Sequence, residues 1–224
     1  MPPRKPRPTD ADASLTDQAY LALEELIVTL KLAPGQAVSE ATLAAQLQIG
    51  RTPIREALQR LARERLVKIL PRRGIIVAEI DIKAQLRLLE LRREVERLIA
   101  RSAAKRANPA ERARFAQLAD TFEASAANGD ELGFMRCDRA FNELCLGAAR
   151  NEFAAGSMGL MSSLSRRFWF LHYKQAADMP LTAQLHADIA RAIAAGDEAC
   201  AGAASDRLLD TLEKFTRDTV SADF

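Results

Sequence analysis

Apolar side chains recur at three- and four-residue spacing along the first third of the chain, which is the period of an amphipathic helix. The pattern predicts one helix over about residues 16–32 and a short second helix after an N-cap at Ser39. A third helix is expected to begin at Thr52 as N-cap, with Pro53 in its first position, where a missing N–H costs nothing.

The period changes after the third helix. Residues 66–70 and 75–78 are short β-rich runs, and the Pro-Arg-Arg-Gly sequence between them is typical of a hairpin turn. Three helices followed by a hairpin make a winged helix-turn-helix. From about residue 83 onward the pattern is helical throughout. The predicted helices are 83–107, 109–127, 131–148, 152–175, 181–195 and 197–219.

These patterns predict a mainly α protein. A winged helix-turn-helix is expected over residues 15–80, followed by an all-α antiparallel helical bundle over residues 81–224. Residues 1–14 are predicted to form a disordered basic arm, because four prolines interrupt three cations there.

Composition excludes two classes of protein. No apolar run approaches the roughly 18 residues that a membrane helix needs, and no apolar stretch follows the N-terminal cations as in a secretory signal. The three cysteines include no CxxC pair, and their odd number argues against a disulfide framework. We therefore expect a cytoplasmic protein with no membrane partner.

Positive charge is concentrated on the third helix and the hairpin. Residues 51–73 hold eight cations and two anions, a net charge of +6, whereas residues 81–224 hold 20 cations and 21 anions. A basic amphipathic helix is often only a solvated face. A basic helix that precedes a wing is typical of DNA-binding proteins, so double-stranded operator DNA is the expected partner.

The polar face of the third helix carries the donors that read DNA. Arg55 and Gln59 are four residues apart and share one side of the helix, and Arg51 stands just ahead of them. The guanidinium fork matches O6 and N7 of guanine and also pairs with phosphate. Arg72 and Arg73 at the wing tip are expected to reach phosphate or the minor groove.

Four stretches of the first 80 residues resemble the winged helix of the GntR family of bacterial regulators. They follow one another in the family's order, and the match is specific because the motif is long. The stretches are residues 34–40 (PGQAVSE), Leu43-Ala44, residues 51–61 (RTPIREALQRL) and residues 71–74 (PRRG).

The helical remainder resembles the FadR-like branch of that family and its FCD-type effector domain. The resemblance covers roughly residues 15–220. Its matching pieces are Arg92 with Glu96, residues 138–141 (DRAF), Asn151, residues 185–189 (LHADI) and Gly196-Asp197.

The resemblance implies that Arg51, Thr52 and Arg55 contact DNA and that Gly74 lets the wing approach the backbone. Ala41 and Gly50 remove possible phosphate contacts of the family, and Arg65 replaces a usual glycine. The candidate DNA-binding residues are Arg51, Thr52, Pro53, Arg55, Gln59, Arg72, Arg73 and Gly74.

The resemblance also implies a degenerate metal site. Many FCD-type domains bind a divalent metal through one aspartate and three histidines, and these positions map to Asp138, Asn142, His186 and about Leu208. An amide oxygen is a weak ligand for a transition metal and leucine is none. No cofactor and no tightly bound divalent metal are expected, with replacement by His172 as the alternative.

The same polar positions are expected to line an effector pocket. Asp138 and Asn142 lie beside the apolar stripe of their helix, so they face the interior and need partners or a ligand. Trp169 and Tyr173 equally fit a core or an interface, and His186 fits a buried hydrogen-bonding histidine. The candidate effector-binding residues are Arg92, Asp138, Asn142, His186, Arg166, Trp169 and Tyr173.

Together these features predict a sequence-specific transcription regulator, a repressor, that acts as a homodimer. A small organic acid or related metabolite, a carboxylate held by an arginine such as Arg92, is expected to modulate its affinity for the operator. Two alternatives remain at this point. One is a helical metal-dependent enzyme, and the other is a protein-interaction module whose winged helix does not bind DNA.

Overall fold

The computed structural model describes residues 14–71, 74–176 and 178–222, and of residues 173–176 and 220–222 it describes the backbone. Apart from Ser14, the predicted N-terminal arm lies outside the described residues. The wing-tip residues Arg72 and Arg73 and the side chain of Tyr173 lie outside them as well.

The chain divides into two compact units. The first unit comprises Met1–Ile80 together with Arg166–Leu171, and the second comprises Asp81–Ser165 together with His172–Phe224. One helix therefore contributes residues to both units, although most of each unit is continuous in sequence.

The first unit has the element order of a winged helix-turn-helix. Its three strands, β1 (Ala37–Val38), β2 (Val67–Leu70) and β3 (Gly74–Val77), form an antiparallel sheet of order β1-β3-β2, with Leu70 paired to Gly74 across the hairpin. The strand β1 has two residues, too few to show an alternating pattern in the sequence. The elements are α1 (Leu15–Val28), β1 (Ala37–Val38), α2 (Glu40–Leu47), α3 (Arg51–Arg63), β2 (Val67–Leu70) and β3 (Gly74–Val77).

Two predicted helix ends in this unit are wrong. The first helix ends at Val28 rather than near residue 32, because Leu30 takes a left-handed φ of 59° and turns the chain. The third helix begins at Arg51 with Gly50 as N-cap, so Thr52 is a helical residue and not the cap. Ser39 is the N-cap of α2, as predicted, and its hydroxyl accepts from the Thr42 N–H at 3.1 Å.

The core of the first unit is aliphatic. Helix α3 packs against both α1 and α2, and the inner face of the sheet closes the core. Burial of these side chains supplies the main stabilising free energy of so small a unit. The largest fully buried members are Leu23, Ile27, Val28, Leu43, Ile54, Leu61, Leu66 and Val77.

All regular secondary structure in the described residues of the second unit is helical. Helix α5 (Pro109–Ala127) packs against α9 (Met179–Ala195) and α6 (Glu131–Ala149), while α4 (Ile82–Arg106) packs against α10 (Glu198–Ala222) and α6. The mainly α fold class, with a helical bundle after the winged helix, is therefore confirmed. The helices are α4 (Ile82–Arg106), α5 (Pro109–Ala127), α6 (Glu131–Ala149), α7 (Glu152–Gly159), α8 (Ser162–Ala176), α9 (Met179–Ala195) and α10 (Glu198–Ala222).

The predicted helix over 152–175 is wrong, because the chain forms two helices there. α7 ends at Gly159, and the N–H groups of Leu160 and Met161 bond to carbonyls three residues back. Two glycines within α7 lower its helix propensity, and Met161 is buried at the turn. An apolar pattern that continues across such a turn hides it from sequence reasoning.

Candidate nucleic-acid interface and candidate ligand site

Helix α3 has one apolar and one polar face. The apolar face is buried in the core of the first unit, so the polar face is presented to solvent. Of the predicted DNA-binding residues on this helix, Pro53 is half-buried. The buried residues are Ile54, Ala57, Leu58 and Leu61, and the exposed ones include Arg51, Thr52, Arg55 and Gln59.

The N-terminus of α3 offers backbone donors on the same side as Arg51 and Thr52. Gly50 supplies no capping side chain, and within the described residues no side chain caps this helix. The first N–H groups of a helix lack intrahelical acceptors and carry partial positive charge. The end of α3 is therefore suited to a phosphate.

Arg55 is held by a carboxylate of the neighbouring helix. Its Nε donates to Glu40 Oε1 at 2.9 Å, and its Nη2 donates to Glu40 Oε2 at 2.8 Å. The pair lowers the pKa of Glu40 through the hydrogen bond from Arg55. Sequence reasoning singled out Arg55 but missed Glu40, because the two residues are 15 positions apart.

The wing and its junction with α3 each contain a residue with a left-handed backbone, Gly74 and Arg65. Gly74 has a φ of 94° at the end of the hairpin, a conformation that glycine takes without steric cost. Arg65, between α3 and the wing, has a φ of 61°. The structure thus explains why glycine is usual in the family at that position, since an L side chain is strained there.

A group of polar side chains, missed in the sequence, joins α1 to the C-terminal end of α3. Tyr20 donates to Glu64 Oε2 at 2.9 Å, and the Arg60 guanidinium lies 3.5 Å from the centre of the Tyr20 ring. Burial, followed by the Glu64 charge, raises the pKa of Tyr20 to about 12. Burial also raises the pKa of Glu64, against hydrogen bonds from Tyr20 and Arg60.

Two arginines of α8 belong to the first unit. Arg166 Nη1 lies 2.8 Å from Oε1 of Glu24, whose side chain is 3% exposed. Arg167 donates to the carbonyls of Ala78 and Glu79 at 2.8 and 3.1 Å, and burial lowers its pKa to about 10. Of the predicted effector residues, Arg166 and the half-buried Trp169 thus lie in the first unit.

The structure brings three predicted effector residues together in the second unit. Asn142 Nδ2 donates to Asp138 Oδ1 at 3.0 Å, and His186 Nε2 lies 3.3 Å from the same oxygen. The His186 ring stands among three phenylalanine rings with centroids 5.0 to 5.9 Å away. These rings belong to Phe122, Phe134 and Phe141.

The position of one proton in this cluster follows from its geometry. His186 Nδ1 lies 2.8 Å from the Thr182 carbonyl oxygen, which can only accept, so Nδ1 carries a proton. In a neutral imidazole Nε2 would then direct a lone pair at the Asp138 carboxylate. The contact is favourable only when a proton or another positive group lies between the two atoms.

The cluster does not fit the metal site of many FCD-type domains. Asn142 directs its amide NH₂ at Asp138, and Leu208, at the position of the last ligand, is buried and apolar. Across residues 14–71, 74–176 and 178–222, no group of three or more His, Cys, Asp or Glu side chains could hold an ion. The expectation of no tightly bound metal remains a prediction.

Arg92 lies on α4, which packs against α6. Its Nε donates to Glu96 one turn later, so the resembled Arg-x-x-x-Glu pair forms an ion pair, with side chains 13% and 15% exposed. Glu96 and Asp138 both raise the pKa of the Cys145 thiol, after burial as the first cause. One carboxylate of the Arg92–Glu96 pair and one of the cluster of Asp138, Asn142 and His186 thus both influence the Cys145 thiol electrostatically.

Comparison with known proteins agrees with this architecture. Residues 15–77 match the model of the bacterial regulatory proteins of the gntR family, and residues 87–211 match the FCD domain.

None of the helices in the described part of the chain is long and apolar enough to span a membrane.

Individual relatives are regulators. An uncharacterized HTH-type transcriptional regulator in an unstable DNA locus of Streptomyces ambofaciens is 48% identical over 62 residues, 28% of this chain and 26% of that protein. The galactonate operon transcriptional repressor of Escherichia coli (strain K12) is 29% identical over 195 residues, 76% of this chain and 83% of that protein.

The solved structure of E. coli McbR/YncC has the same fold. It superposes with a TM-score of 0.80 at 18% identity, covering 93% of this chain and 99% of that one. The FCD match alone spans more than half of the chain. The chain therefore belongs to the GntR family of bacterial regulatory proteins and is a DNA-binding transcription regulator with an FCD domain.

Proposed function

We propose that this regulator represses transcription by binding one operator as a homodimer, with α3 in the major groove and the wing on the backbone. The observation that carries the proposal is the exposed polar face of α3, with its uncapped N-terminus beside Arg51 and Thr52. Two such helices about one helical turn apart would read a pseudo-palindrome. The repressor assignment is supported by the galactonate relative, which is a transcriptional repressor.

The test of α3 is Arg55→Ala. A duplex selected in vitro by the wild-type protein should lose about 1–3 kcal/mol of binding free energy with the variant, and its base preference should relax. Arg136→Ala is the matched control, because Arg136 is an exposed arginine of the second unit. Equal binding by the Arg55 variant and the wild type would contradict the proposal, and sedimentation of the free protein would test the dimer.

We further propose that a small hydroxylated organic acid binds the polar cluster of the second unit and lowers the affinity for the operator. Asp138, Asn142 and His186 would bind its hydroxyl groups, and Arg92 would bind its carboxylate. The support is chemical: Asp138, Asn142 and His186 are polar groups brought together in the second unit, and the His186 ring is set against aromatic rings, as in other small-molecule sites.

A thermal-shift screen of small hydroxy and sugar acids tests the ligand. A compound that binds should raise the melting temperature of the wild-type protein and release the selected duplex. The shift should disappear in Asp138→Asn and persist in Asp218→Asn, a control at an exposed position of α10. A shift that survives in Asp138→Asn would place the ligand elsewhere.

A further inference from the structure

Arg55 is held in one orientation by the carboxylate of Glu40. Nε donates to both oxygens, at 2.9 and 3.1 Å, and Nη2 donates to Oε2 at 2.8 Å. We propose that Glu40 is the positioning residue that sets which base Arg55 reads. The inference rests on the proposed function, because it requires Arg55 to contact DNA.

The hydrogen bonds occupy one edge of the guanidinium. This planar group has five N–H donors, and Glu40 takes the edge formed by Nε and Nη2. The remaining donors are both N–H groups of Nη1 and the second one of Nη2, which point away from the carboxylate. That end of the fork matches O6 and N7 of guanine, so the ion pair leaves a base-reading edge available.

The ion pair is too exposed to act mainly on stability. The Arg55 and Glu40 side chains are 58% and 29% exposed, and pairs of this kind contribute little to folding. Their effect on binding is larger in principle, because a long side chain that is already oriented loses less conformational freedom when it meets DNA. We therefore expect Glu40 to affect the recognition of DNA more than the stability of the fold.

Local structure fixes Glu40 itself. It is the first residue of α2, directly after the N-cap Ser39, and its carboxylate suits the positive end of that helix. Helix α2 packs against α3, and this packing fixes the position of Glu40 relative to Arg55. A negative charge beside DNA also repels phosphate, so Glu40 should weaken non-specific binding while it sharpens specific binding.

The test compares two duplexes, one selected in vitro by the wild-type protein and one of scrambled sequence. Glu40→Gln should bind the selected duplex about tenfold more weakly, as for a base contact that loses its orientation. It should bind the scrambled duplex equally or more tightly. Glu25→Gln, at an exposed position of α1, removes the same charge and should leave both affinities unchanged. A Glu40 variant that weakens both duplexes equally would overturn the inference.

Two further variants separate orientation from charge. Glu40→Asp keeps the charge but is one methylene shorter, so it should lose discrimination as Glu40→Gln does; full discrimination by Asp would overturn the inference. In an Arg55→Ala background, Glu40→Gln should no longer change base preference. If Arg55→Ala itself leaves discrimination intact, the proposed function fails as well. If Arg55→Ala abolishes discrimination between the two duplexes, but Glu40→Gln alone discriminates as well as the wild-type protein, only the inference about Glu40 is overturned.

Discussion

Carboxylates of the two units have different partners. In the first unit Glu24 faces Arg166, and Glu64 receives a hydrogen bond from Tyr20. In the second unit Asp138 faces a histidine ring nitrogen at 3.3 Å inside a group of phenylalanine rings. The acids of the first unit are paired with arginine and tyrosine donors. The Asp138 carboxylate faces an imidazole nitrogen, which can donate a hydrogen bond only when it carries a proton.

The difference in partners indicates different roles for the acids of the first unit and for Asp138. A carboxylate paired with arginine has one satisfied state at neutral pH and holds neighbouring helices in place. A carboxylate opposite an imidazole nitrogen gains from a proton, a ligand donor or another positive group. We therefore expect substitutions at Glu24, Glu64 and their partners to affect folding, and substitutions in the cluster of Asp138, Asn142 and His186 to affect ligand binding.

The largest expected effect is that of Arg166→Met. The substitution takes the arginine partner from a carboxylate that is 3% exposed, which should cost about 3 kcal/mol of unfolding free energy. Urea denaturation followed by circular dichroism measures it. Arg136→Met, at an exposed position of α6, is the control for loss of an arginine and should change stability little.

A double variant shows whether the cost comes from the pair. Glu24→Gln with Arg166→Met removes both charges, so it should be more stable than Arg166→Met alone. If the two substitutions are simply additive, the ion pair does not account for the loss, and the contrast between the two units weakens.

The second prediction for the first unit concerns its unfolding free energy at alkaline pH. The pKa of Tyr20 is raised to about 12, above the ordinary value of 10, so the folded state prefers the neutral phenol. Its contribution is therefore complete below pH 10 and is lost as the pH rises toward 12.

The advantage of the wild-type protein over Tyr20→Phe should shrink by about 2 kcal/mol between roughly pH 9.5 and pH 11.5. Urea denaturation of both proteins at each pH measures it, and the subtraction removes the titration of other groups. A constant advantage would show that the Tyr20 hydroxyl does not ionise differently in the folded and unfolded chains.

Sequence reasoning went furthest where one helix face carries the information. The period of α3 and its family motif are enough to select Arg51, Arg55 and Gln59 as candidate DNA-binding residues, and all three are exposed on the folded helix. The same reasoning failed where a helix start depends on backbone geometry, since Thr52 has the chemistry of a cap although Gly50 occupies that position.

Partners distant in sequence were also invisible. Glu40 lies 15 residues from Arg55, and Glu24 lies 142 residues from Arg166, so no local pattern joins either pair. The Asp138 cluster was recognised in part because a family resemblance, not a period, connected it to His186. Long-range ion pairs depend on tertiary packing, which spacing along a chain does not encode.

The smallest expected effect is on the cluster of Asp138, Asn142 and His186, and it is the sharpest test of the contrast. Asp138→Asn keeps the shape of the side chain, and its amide can donate to the Nε2 lone pair of a neutral His186. The free energy of unfolding should therefore change by less than about 1 kcal/mol at pH 7. Urea denaturation beside Arg166→Met measures both clusters on one scale. A loss of about 3 kcal/mol would mean that Asp138 and His186 form a structural ion pair like that of Glu24 and Arg166, and the distinction between the two units would fail.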